Sequence, residues 1–327
     1  MELVSKKTLM LVSGQGNQEL SREIAQCLGV PLGDMKLSTF ASGELYVRYG
    51  ESIRGADVFV MQSHCQPIND CIMEQLLMID AAKRASARRI TAVCPYYGYA
   101  RQDRKAEGRE PISARLIADL LTKAGADRLV SVDLHTGQIQ GFFDCPVDHL
   151  TAVPVLAGYL AGELEGELVV VSPDAGGGKL AHRYANALSE SNIQSDLAFV
   201  DKRRPKGTHN VAEANEIVGE VRGKLCLVVD DMIDTAGTIV SVANLLIERG
   251  AREVWVAATH GVLSGPAVDR LKNAPIHRVV VTNTLPIPDD KRFDSLEVLS
   301  IAPIVAEALG AVFGDASVSE IFRGDNL

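Results

Sequence analysis

Residues 225–238, with the sequence LCLVVDDMIDTAGT, form the most specific chemical pattern in the chain. The apolar run predicts a buried strand that ends in two adjacent carboxylates, Asp230 and Asp231. A short stretch of small and polar residues follows, made up of Asp234, Thr235, Ala236, Gly237 and Thr238. Free N–H groups at a helix start, together with two hydroxyls, can hold a phosphate, while the carboxylates can accept hydrogen bonds from a sugar diol. The pattern describes a ribose 5-phosphate site; the alternative is a helix capped by Asp230 after a core strand.

Three further groups follow predicted strands, where parallel sheets bind their ligands. They are His135 in SVDLHTG, Asp174 in SPDAGGG, and a cationic run that comprises Lys202, Arg203, Arg204 and Lys206. A lone histidine is often structural, and a run of charges is often solvated surface. The cationic run enters the stretch PKGTHNVAE, whose composition predicts a flexible loop. Such a loop could close over a charged transition state.

The elements that must position these groups follow from the pattern of apolar residues. Short β-branched runs alternate with amphipathic segments such as residues 69–86, where Asn69 is a candidate N-cap. Further helices are predicted over 111–124, opening with Pro111, and over 238–249. This alternation predicts an α/β fold with parallel sheets flanked by helices. The two halves each carry an Asp-bearing loop after a strand, VDLHTG and VVDDMIDTAG, which indicates a duplicated unit.

Length and charge limit the classes of function. The 327 residues suit two domains, and we place the boundary near 150, giving domains 1–150 and 151–304. Lys and Arg number 33 against 42 Asp and Glu, so the net charge of −9 argues against general binding to nucleic acid or a membrane surface. No apolar stretch reaches the ~18–20 residues of a membrane span. The N-terminal residues lack the features of a signal peptide.

The cysteines indicate the redox environment. Six are present, at positions 27, 65, 71, 94, 145 and 226, without a Cys-x-x-Cys pair. Several lie in apolar runs, which favours buried reduced thiols in a cytoplasmic protein over disulfides or a zinc site.

Residues 225–238 closely resemble the phosphoribosyl-binding signature of the phosphoribosyltransferase fold. Other motifs occur in the order found in the ribose-phosphate pyrophosphokinases of class I: FASGE (40–44), PYYGYARQDRK (95–105), DLHTGQIQGFFDCPVD (133–148), SPDAGGG (172–178) and DKRRP (201–205). The resemblance covers about residue 9 to residue 323. It implies two similar phosphoribosyltransferase-like domains, with the tail 305–327 packed on the first. It also implies an enzyme that makes phosphoribosyl pyrophosphate and AMP from ATP and ribose 5-phosphate.

The resemblance implies a role for each matching position. Lys202 and Arg204 would be catalytic, with Arg204 also contacting ribose 5-phosphate beside Asp230, Asp231 and residues 234–238. His135 and Asp174 would bind Mg²⁺. ATP would be bound on the first domain by Phe40, Ser42, Gly43, Glu44, Arg101 and Gln102. Ser42 stands where the family commonly has Asp, which puts that one contact to adenosine in question.

The resemblance also implies regulation and assembly. Family members form homo-oligomers, commonly hexamers, activated by inorganic phosphate and inhibited by ADP at an intersubunit anion site. Its matching positions are Ser52, Arg54, Arg109, Gln140, Asp148, Ser317 and Ser319, and Glu107-Gly108 replaces a lysine and a serine of some relatives. Two alternatives remain at this point: a phosphoribosyltransferase, which would share only the 225–238 segment, and a non-catalytic regulatory homologue, in which the catalytic loop would be lost.

Overall fold

The chain divides into two compact units. The computed structural model describes residues 7–174, 176–203 and 214–322. The first unit comprises the chain up to Thr151, Thr284–Pro286 and the chain from Ser300 onward; the second comprises Ala152–Asn283 and Ile287–Leu299. The first unit therefore takes up the chain again at 284–286 and from 300 onward, earlier than the predicted return at 305.

Strands and helices alternate along both units. The strands are β1 (Leu9–Ser13), β2 (Met35–Thr39), β3 (Leu45–Tyr49), β4 (Asp57–Met61), β5 (Arg89–Cys94), β6 (Arg128–Val132), β7 (Val147–Leu150), β8 (Leu168–Ser172), β9 (Ser195–Arg203), β10 (Ala214–Val218), β11 (Leu225–Ile233), β12 (Glu253–Gly261), β13 (Arg278–Thr282) and β14 (Leu296–Leu299). The helices are α1 (Gln18–Leu28), α2 (Ile68–Arg84), α3 (Ser113–Ala124), α4 (Val153–Glu163), α5 (Gly178–Glu190), α6 (Gly237–Glu248), α7 (Ala267–Lys272) and α8 (Ala302–Gly314).

The first unit contains a parallel sheet in the order β1-β4-β5-β6-β7. All five residues of β4 are buried, as expected for a strand covered on both faces. β2 and β3 pair with each other as an antiparallel hairpin, with Met35 opposite Tyr49. Neither strand of this hairpin is predicted by the sequence patterns.

The second unit contains a sheet in the order β10-β9-β8-β11-β12-β13-β14. Its neighbours are parallel except for β10, which runs antiparallel to β9. β8 is buried along its whole length, and β11 is buried up to Val229. The predicted α/β class with mainly parallel sheets flanked by helices is therefore confirmed for both units.

The two main sheets share the order of five strands, although β9 and β10 join the second sheet whereas β2 and β3 form a sheet of their own. In each unit, two strands (β2 and β3, or β9 and β10) follow the first strand (β1 or β8) in the chain. The next four strands (β4 to β7, or β11 to β14) then lie in chain order on one side of the first strand. β4 is therefore the counterpart of β11, and β6 is the counterpart of β13. The loop VDLHTG follows β6, whereas VVDDMIDTAG spans the end of β11, so the two Asp-bearing loops are not equivalent turns even though the strand order is repeated.

Helix starts show how local residues fix the boundaries. The Asn17 side chain caps α1 by accepting from the Leu20 N–H at 3.3 Å. The predicted cap of α2 is wrong, because α2 begins at Ile68 after Pro67, and Asn69 Oδ1 instead accepts from the Tyr99 hydroxyl at 2.6 Å. Pro111 likewise lies outside α3, which begins at Ser113.

The chain from Ser300 onward is attached to the first unit by packing and by charge. α8 packs against α1. Asp315, which follows α8, accepts from Arg89 and from Lys7 at 2.7 Å each. Asp57, buried at the start of β4, pairs with Arg88 and Arg89 as well. These charges stabilise the end of α8 beside the first sheet.

Two further predictions concern the burial of reduced cysteines and the length of apolar segments. All six cysteines are free; Cys71, Cys94 and Cys226 are buried, whereas Cys27 is exposed, so the prediction of burial does not hold for Cys27. Across the described ranges, no helix combines the length and the apolar composition that crossing a membrane requires.

Candidate active site

The loop after β11 leads directly into α6, so it ends at the first backbone N–H groups of that helix. The strand continues through Asp230 and Asp231 to Ile233, two residues beyond its predicted end, and pairs with β12 as far as Gly261. Ala236 lies in the left-handed region with φ of 59°, and α6 begins at Gly237 without a side-chain cap. The alternative in which Asp230 caps the helix is therefore wrong. The first N–H groups of α6 are left for a ligand.

Space at Gly237 supports this assignment. A Cβ placed on Gly237 would have Arg270 Nη1 at 3.5 Å as its nearest described neighbour, an ordinary contact distance. Packing within the protein therefore does not require glycine here. Thr235, Gly237 and Thr238 are exposed, whereas Ala236 is buried. The residues face outward as a binding loop would.

The carboxylates at this end of the sheet influence one another. Burial, the charge of Asp231 and, further away, the charge of Asp174 raise the pKa of Asp230 well above its usual range. Asp230 Oδ1 accepts from the Asp231 N–H at 2.9 Å. Acidic side chains in this arrangement favour ligands that donate hydrogen bonds or carry positive charge, such as a sugar diol or a cation.

Asp174 organises the loop between β8 and α5. Its Oδ1 accepts from Gly176 N–H at 2.8 Å and Gly177 N–H at 3.0 Å, and its carbonyl accepts from Ser172 Oγ at 2.6 Å. A Cβ on Gly177 would lie only 2.6 Å from Ser172 Oγ, so glycine is needed there for this turn. Asp174 itself is exposed at the end of β8.

Of the two predicted catalytic cations, Lys202 belongs to the last residues of β9. β9 continues to Arg203, two residues beyond its predicted end at Asp201, and its backbone pairs Lys202 with Asn215 of β10. The Lys202 side chain, Arg204 and Lys206 lie outside the described residues. Their predicted roles remain predictions.

In the first unit, the predicted ATP loop FASGE is the turn of the β2–β3 hairpin. Phe40 N–H donates to Glu44 O and Gly43 N–H donates to Phe40 O, both at 2.8 Å, with Gly43 at φ of 91°. Phe40 is 55% exposed and packs edge-to-face against Tyr46, with ring centroids 5.7 Å apart. Ser42 Oγ donates to Glu44 at 2.9 Å. An exposed aromatic ring is suited to stacking on a base.

Arg101 and Gln102 lie on a separate loop between β5 and α3. Gln102 is fixed at both ends, because its N–H donates to Tyr99 O at 2.9 Å and its Oε1 accepts from Ser113 Oγ at 2.6 Å. The next residue, Asp103, accepts from Thr136 Oγ1 at 2.9 Å. This bond joins the loop to the segment that carries His135.

His135 is exposed in the turn after β6. Leu134 N–H donates to His149 Nε2 at 2.9 Å, which stabilises the turn. Asp133 lies at the start of the turn with a φ of 37°. Sequence reasoning missed Thr136, Asp103 and His149 because such contacts leave no motif. It also missed Arg270, which lies beside the 234–238 loop.

Of the described residues, Asp174 and His135 could each offer Mg²⁺ one ligand, but they do not form a complete metal site. Among the described residues, no three His, Cys, Asp or Glu side chains form a metal-binding group. Mg²⁺ is commonly held by one or two protein ligands, with waters and substrate phosphates completing its octahedron. Exposed single ligands such as Asp174 and His135 are compatible with that mode, which depends on the substrate.

The predicted regulatory residues all belong to the first unit. Ser52, Arg54 and Arg109 are exposed, and Arg109 has a φ of 71°. Ser317 Oγ and Ser319 Oγ lie 2.9 Å apart, and Gln140 donates to Gly137 O at 3.2 Å. Asp148 forms an ion pair with Arg128 at 2.6 Å. Because Arg128 balances the charge of Asp148, this carboxylate would repel a bound anion less than an unpaired one would.

Comparison with known proteins covers nearly the whole chain. Residues 9–125 match the N-terminal domain of ribose phosphate pyrophosphokinase, and residues 170–323 match the phosphoribosyl synthetase-associated domain. A ribose-phosphate pyrophosphokinase of Bifidobacterium longum is 57% identical over 319 residues, covering 97% of this chain and 93% of the relative. One from Streptomyces avermitilis is 54% identical over 323 residues, covering 98% of each.

The solved structures agree. The crystal structure of phosphoribosylpyrophosphate synthetase from Mycobacterium smegmatis superposes with a TM-score of 0.89 at 53% identity, covering 95% of this chain and 100% of that one. The similarity covers nearly the whole chain, which confirms the resemblance inferred from the motifs. The chain belongs to the ribose-phosphate pyrophosphokinase family.

Proposed function

We propose that this chain transfers the β,γ-diphosphoryl group of ATP to the C1 hydroxyl of ribose 5-phosphate, with the sugar phosphate bound at 230–238. The loop after β11 carries the proposal, because it combines an uncapped helix start with carboxylates that favour hydrogen-bond donors. The 5-phosphate would bind the N–H groups of residues 235–238 and the hydroxyls of Thr235 and Thr238. The ribose hydroxyls would donate to Asp230 and Asp231.

ATP would bind the first unit. Phe40 is available to stack on adenine at the hairpin turn, while Ser42 and Glu44 offer polar atoms beside it. Arg101 and Gln102 would contact the phosphates or the ribose from the loop that Ser113 and Thr136 support. This division assigns the two substrates to different units of the chain.

The chemistry is one in-line phosphoryl transfer. The C1 oxygen of the sugar forms a bond to the β-phosphorus and releases its proton to solvent. The bond from that phosphorus to the α,β-bridging oxygen breaks, and AMP leaves with that oxygen. Catalysis in such reactions comes mainly from alignment and from neutralisation of charge. Lys202 and Arg204 would supply positive charge to the transferred phosphates.

Mg²⁺ would be the metal, with His135 as a ligand of one site and Asp174 as a ligand of a second, separate site. When bound, it would neutralise phosphate oxygens and orient the diphosphoryl group. The hydrogen bonds from Gly176 and Gly177 to Asp174 keep this carboxylate oriented at the end of β8.

Regulation and assembly are further parts of the proposal. We propose a homo-oligomer, a hexamer by family resemblance, activated by inorganic phosphate and inhibited by ADP. Exposed Arg54 and Arg109 supply cations for an anion site. The six free cysteines fit a reducing compartment, and we propose a cytoplasmic location.

The nucleotide product tests the proposal. Purified protein incubated with ATP, Mg²⁺ and ribose 5-phosphate should release AMP in a 1:1 ratio with phosphoribosyl pyrophosphate. Ribose without its 5-phosphate is the matched control and should give little AMP, because the loop at 235–238 would have no phosphate to bind. Stoichiometric ADP would show an ordinary kinase instead and would contradict the proposal.

A further inference from the structure

We infer that Arg270 is a positioning residue for the phosphate loop, residues 234–238: it orients the loop's peptide groups so that their N–H groups face the 5-phosphate. The inference deepens the proposed function and rests on it. Arg270 lies in α7, outside every motif that the sequence patterns singled out.

Three consecutive carbonyls of the loop region accept hydrogen bonds from the segment that leads from β12 into α7. Ile233 O accepts from Leu263 N–H at 3.0 Å, and Asp234 O accepts from Ser264 N–H at 2.9 Å. The third, Thr235 O, accepts from Arg270 Nη1 at 3.0 Å. Two of the three donors are backbone groups, and Arg270 supplies the side-chain donor.

These bonds fix the direction of the N–H groups as well. In a planar trans peptide the C=O and the next residue's N–H point in opposite directions. When the carbonyls of residues 233–235 point toward the β12–α7 segment, the N–H groups of residues 234–236 point away from it. The bond from Arg270 sets the last of these peptides, which joins Thr235 to Ala236 immediately before α6.

The conformation at Ala236 explains why an external bond is needed. Its φ of 59° places a residue with a Cβ in the left-handed region, which costs about 1 kcal/mol or more relative to glycine. A peptide next to such a residue needs partners to hold it. Arg270 supplies one from outside the loop.

The helix that carries Arg270 is firmly anchored. Leu263, Ala267 and Leu271 are each at most 1% exposed and belong to the core of the second unit. Arg270 itself is exposed, and its Nη1 atom lies 3.5 Å from the position that a Cβ of Gly237 would occupy. The guanidinium thus brings a fixed positive charge to the start of α6, where an anion is already favoured.

The test compares Arg270→Met with Arg270→Lys and with Lys272→Met. Lys272 is an exposed cation on the same helix, so its loss is the matched control for charge. Arg270→Met should raise KM for ribose 5-phosphate roughly tenfold, as expected for one lost charge-assisted hydrogen bond. KM for ATP should stay within twofold. Arg270→Lys, which keeps a donor and the charge, should recover most of the loss, and Lys272→Met should resemble wild type.

Amide hydrogen exchange of residues 234–240 without substrate provides a second measurement. Exchange should be faster in Arg270→Met than in wild type and in Lys272→Met, because the loop has lost its external bond. Unchanged exchange with unchanged KM for ribose 5-phosphate would overturn the inference, and so would an equal rise in both KM values. Should wild type fail to bind ribose 5-phosphate in calorimetry, the proposed function fails, while the exchange data still decide whether Arg270 orders the loop.

Discussion

The imidazole of His64 and the carboxamide of Gln75 form a fully buried hydrogen bond of 2.8 Å between Nε2 and Oε1. The other ring nitrogen, Nδ1, accepts from the Gly98 N–H at 2.9 Å. The neutral ring must therefore carry its proton on Nε2. Gly98 belongs to the loop that leads to Arg101, so a neutral His64 connects α2 to that loop. Protonation would place a second ring proton against the Gly98 N–H.

The stability of the protein should therefore fall as the pH is lowered below the usual pKa of histidine. Burial lowers the pKa of His64 to about 4. The unfolded chain takes up a proton near pH 6.5 and the folded chain does not, so protonation favours unfolding throughout that interval. Between pH 7 and pH 5 this one group should cost about 2 kcal/mol of unfolding free energy.

Urea unfolding of wild type and His64→Asn at both pH values measures the effect. The carboxamide oxygen of Asn can still accept a hydrogen bond from the Gly98 N–H, and the Asn side chain does not titrate in this range. The variant should lose about 2 kcal/mol less than wild type on acidification. Equal losses in both proteins would show that the buried ring does not resist protonation.

Lys202→Ala should lower kcat by roughly 10²–10⁴, the scale for one preorganised charge at a transition state. The melting temperature should change little, because the backbone pairing between Lys202 and Asn215 does not depend on the side chain. Steady-state kinetics and thermal unfolding measure the two effects. Lys272→Ala serves as control, and a Lys202 variant with near-normal kcat would return the cationic run to the role of solvated surface.

Asp230→Asn and Thr238→Val should each weaken ribose 5-phosphate binding by about 1–3 kcal/mol and leave ATP binding nearly unchanged. Each removes one contact to the sugar or its phosphate. Asp230→Asn also removes repulsion from Asp231, so the melting temperature should not fall and unfolding cannot explain a loss of affinity. Calorimetry with each substrate decides the matter. Equal losses for both substrates would contradict the assignment of this loop to the sugar phosphate.

Glu107→Lys should lower the phosphate concentration needed for half-activation. At ~8 Å and an effective dielectric near 20–40, a unit charge contributes on the order of 1–2 kcal/mol before salt screening. The backbone of this turn is fixed, since Ala106 and Glu107 N–H groups both donate to Glu110, so the substitution changes mainly the charge. Glu163→Lys, an exposed position on α4, is the control. An unchanged or higher half-activating concentration would show that Glu107 does not face the regulatory anion.

Sequence patterns predicted what periodicity and contiguous motifs encode. The buried runs that became β4 and β8 and the loop at 230–238 were found because consecutive apolar residues, small residues and paired carboxylates have direct physical meanings. The β2–β3 hairpin was missed, since its exposed residues give no apolar run.

Other errors came from contacts between residues far apart in sequence. Asn69 has the side chain of a cap, but the Tyr99 hydroxyl takes its oxygen. Arg270 and Thr136 act through single hydrogen bonds to partners more than thirty positions away, and no local pattern announces such a bond. Strand order, which only the sheets reveal, shows that the two Asp-bearing loops follow strands that are not counterparts.

The shared strand order bears on how many sugar phosphates we expect one chain to hold. The turn after β4 is the counterpart of the turn after β11, yet the side chains of Gln62 and His64 fill it and take up the N–H groups of Gly16 and Gly98. The turn after β11 leaves Thr235, Gly237 and Thr238 open. The two units therefore share a five-strand order, but of these two equivalent turns the one after β11 is open. If the sugar phosphate binds at residues 230–238 as proposed, we expect one ribose 5-phosphate per polypeptide, which calorimetry would measure.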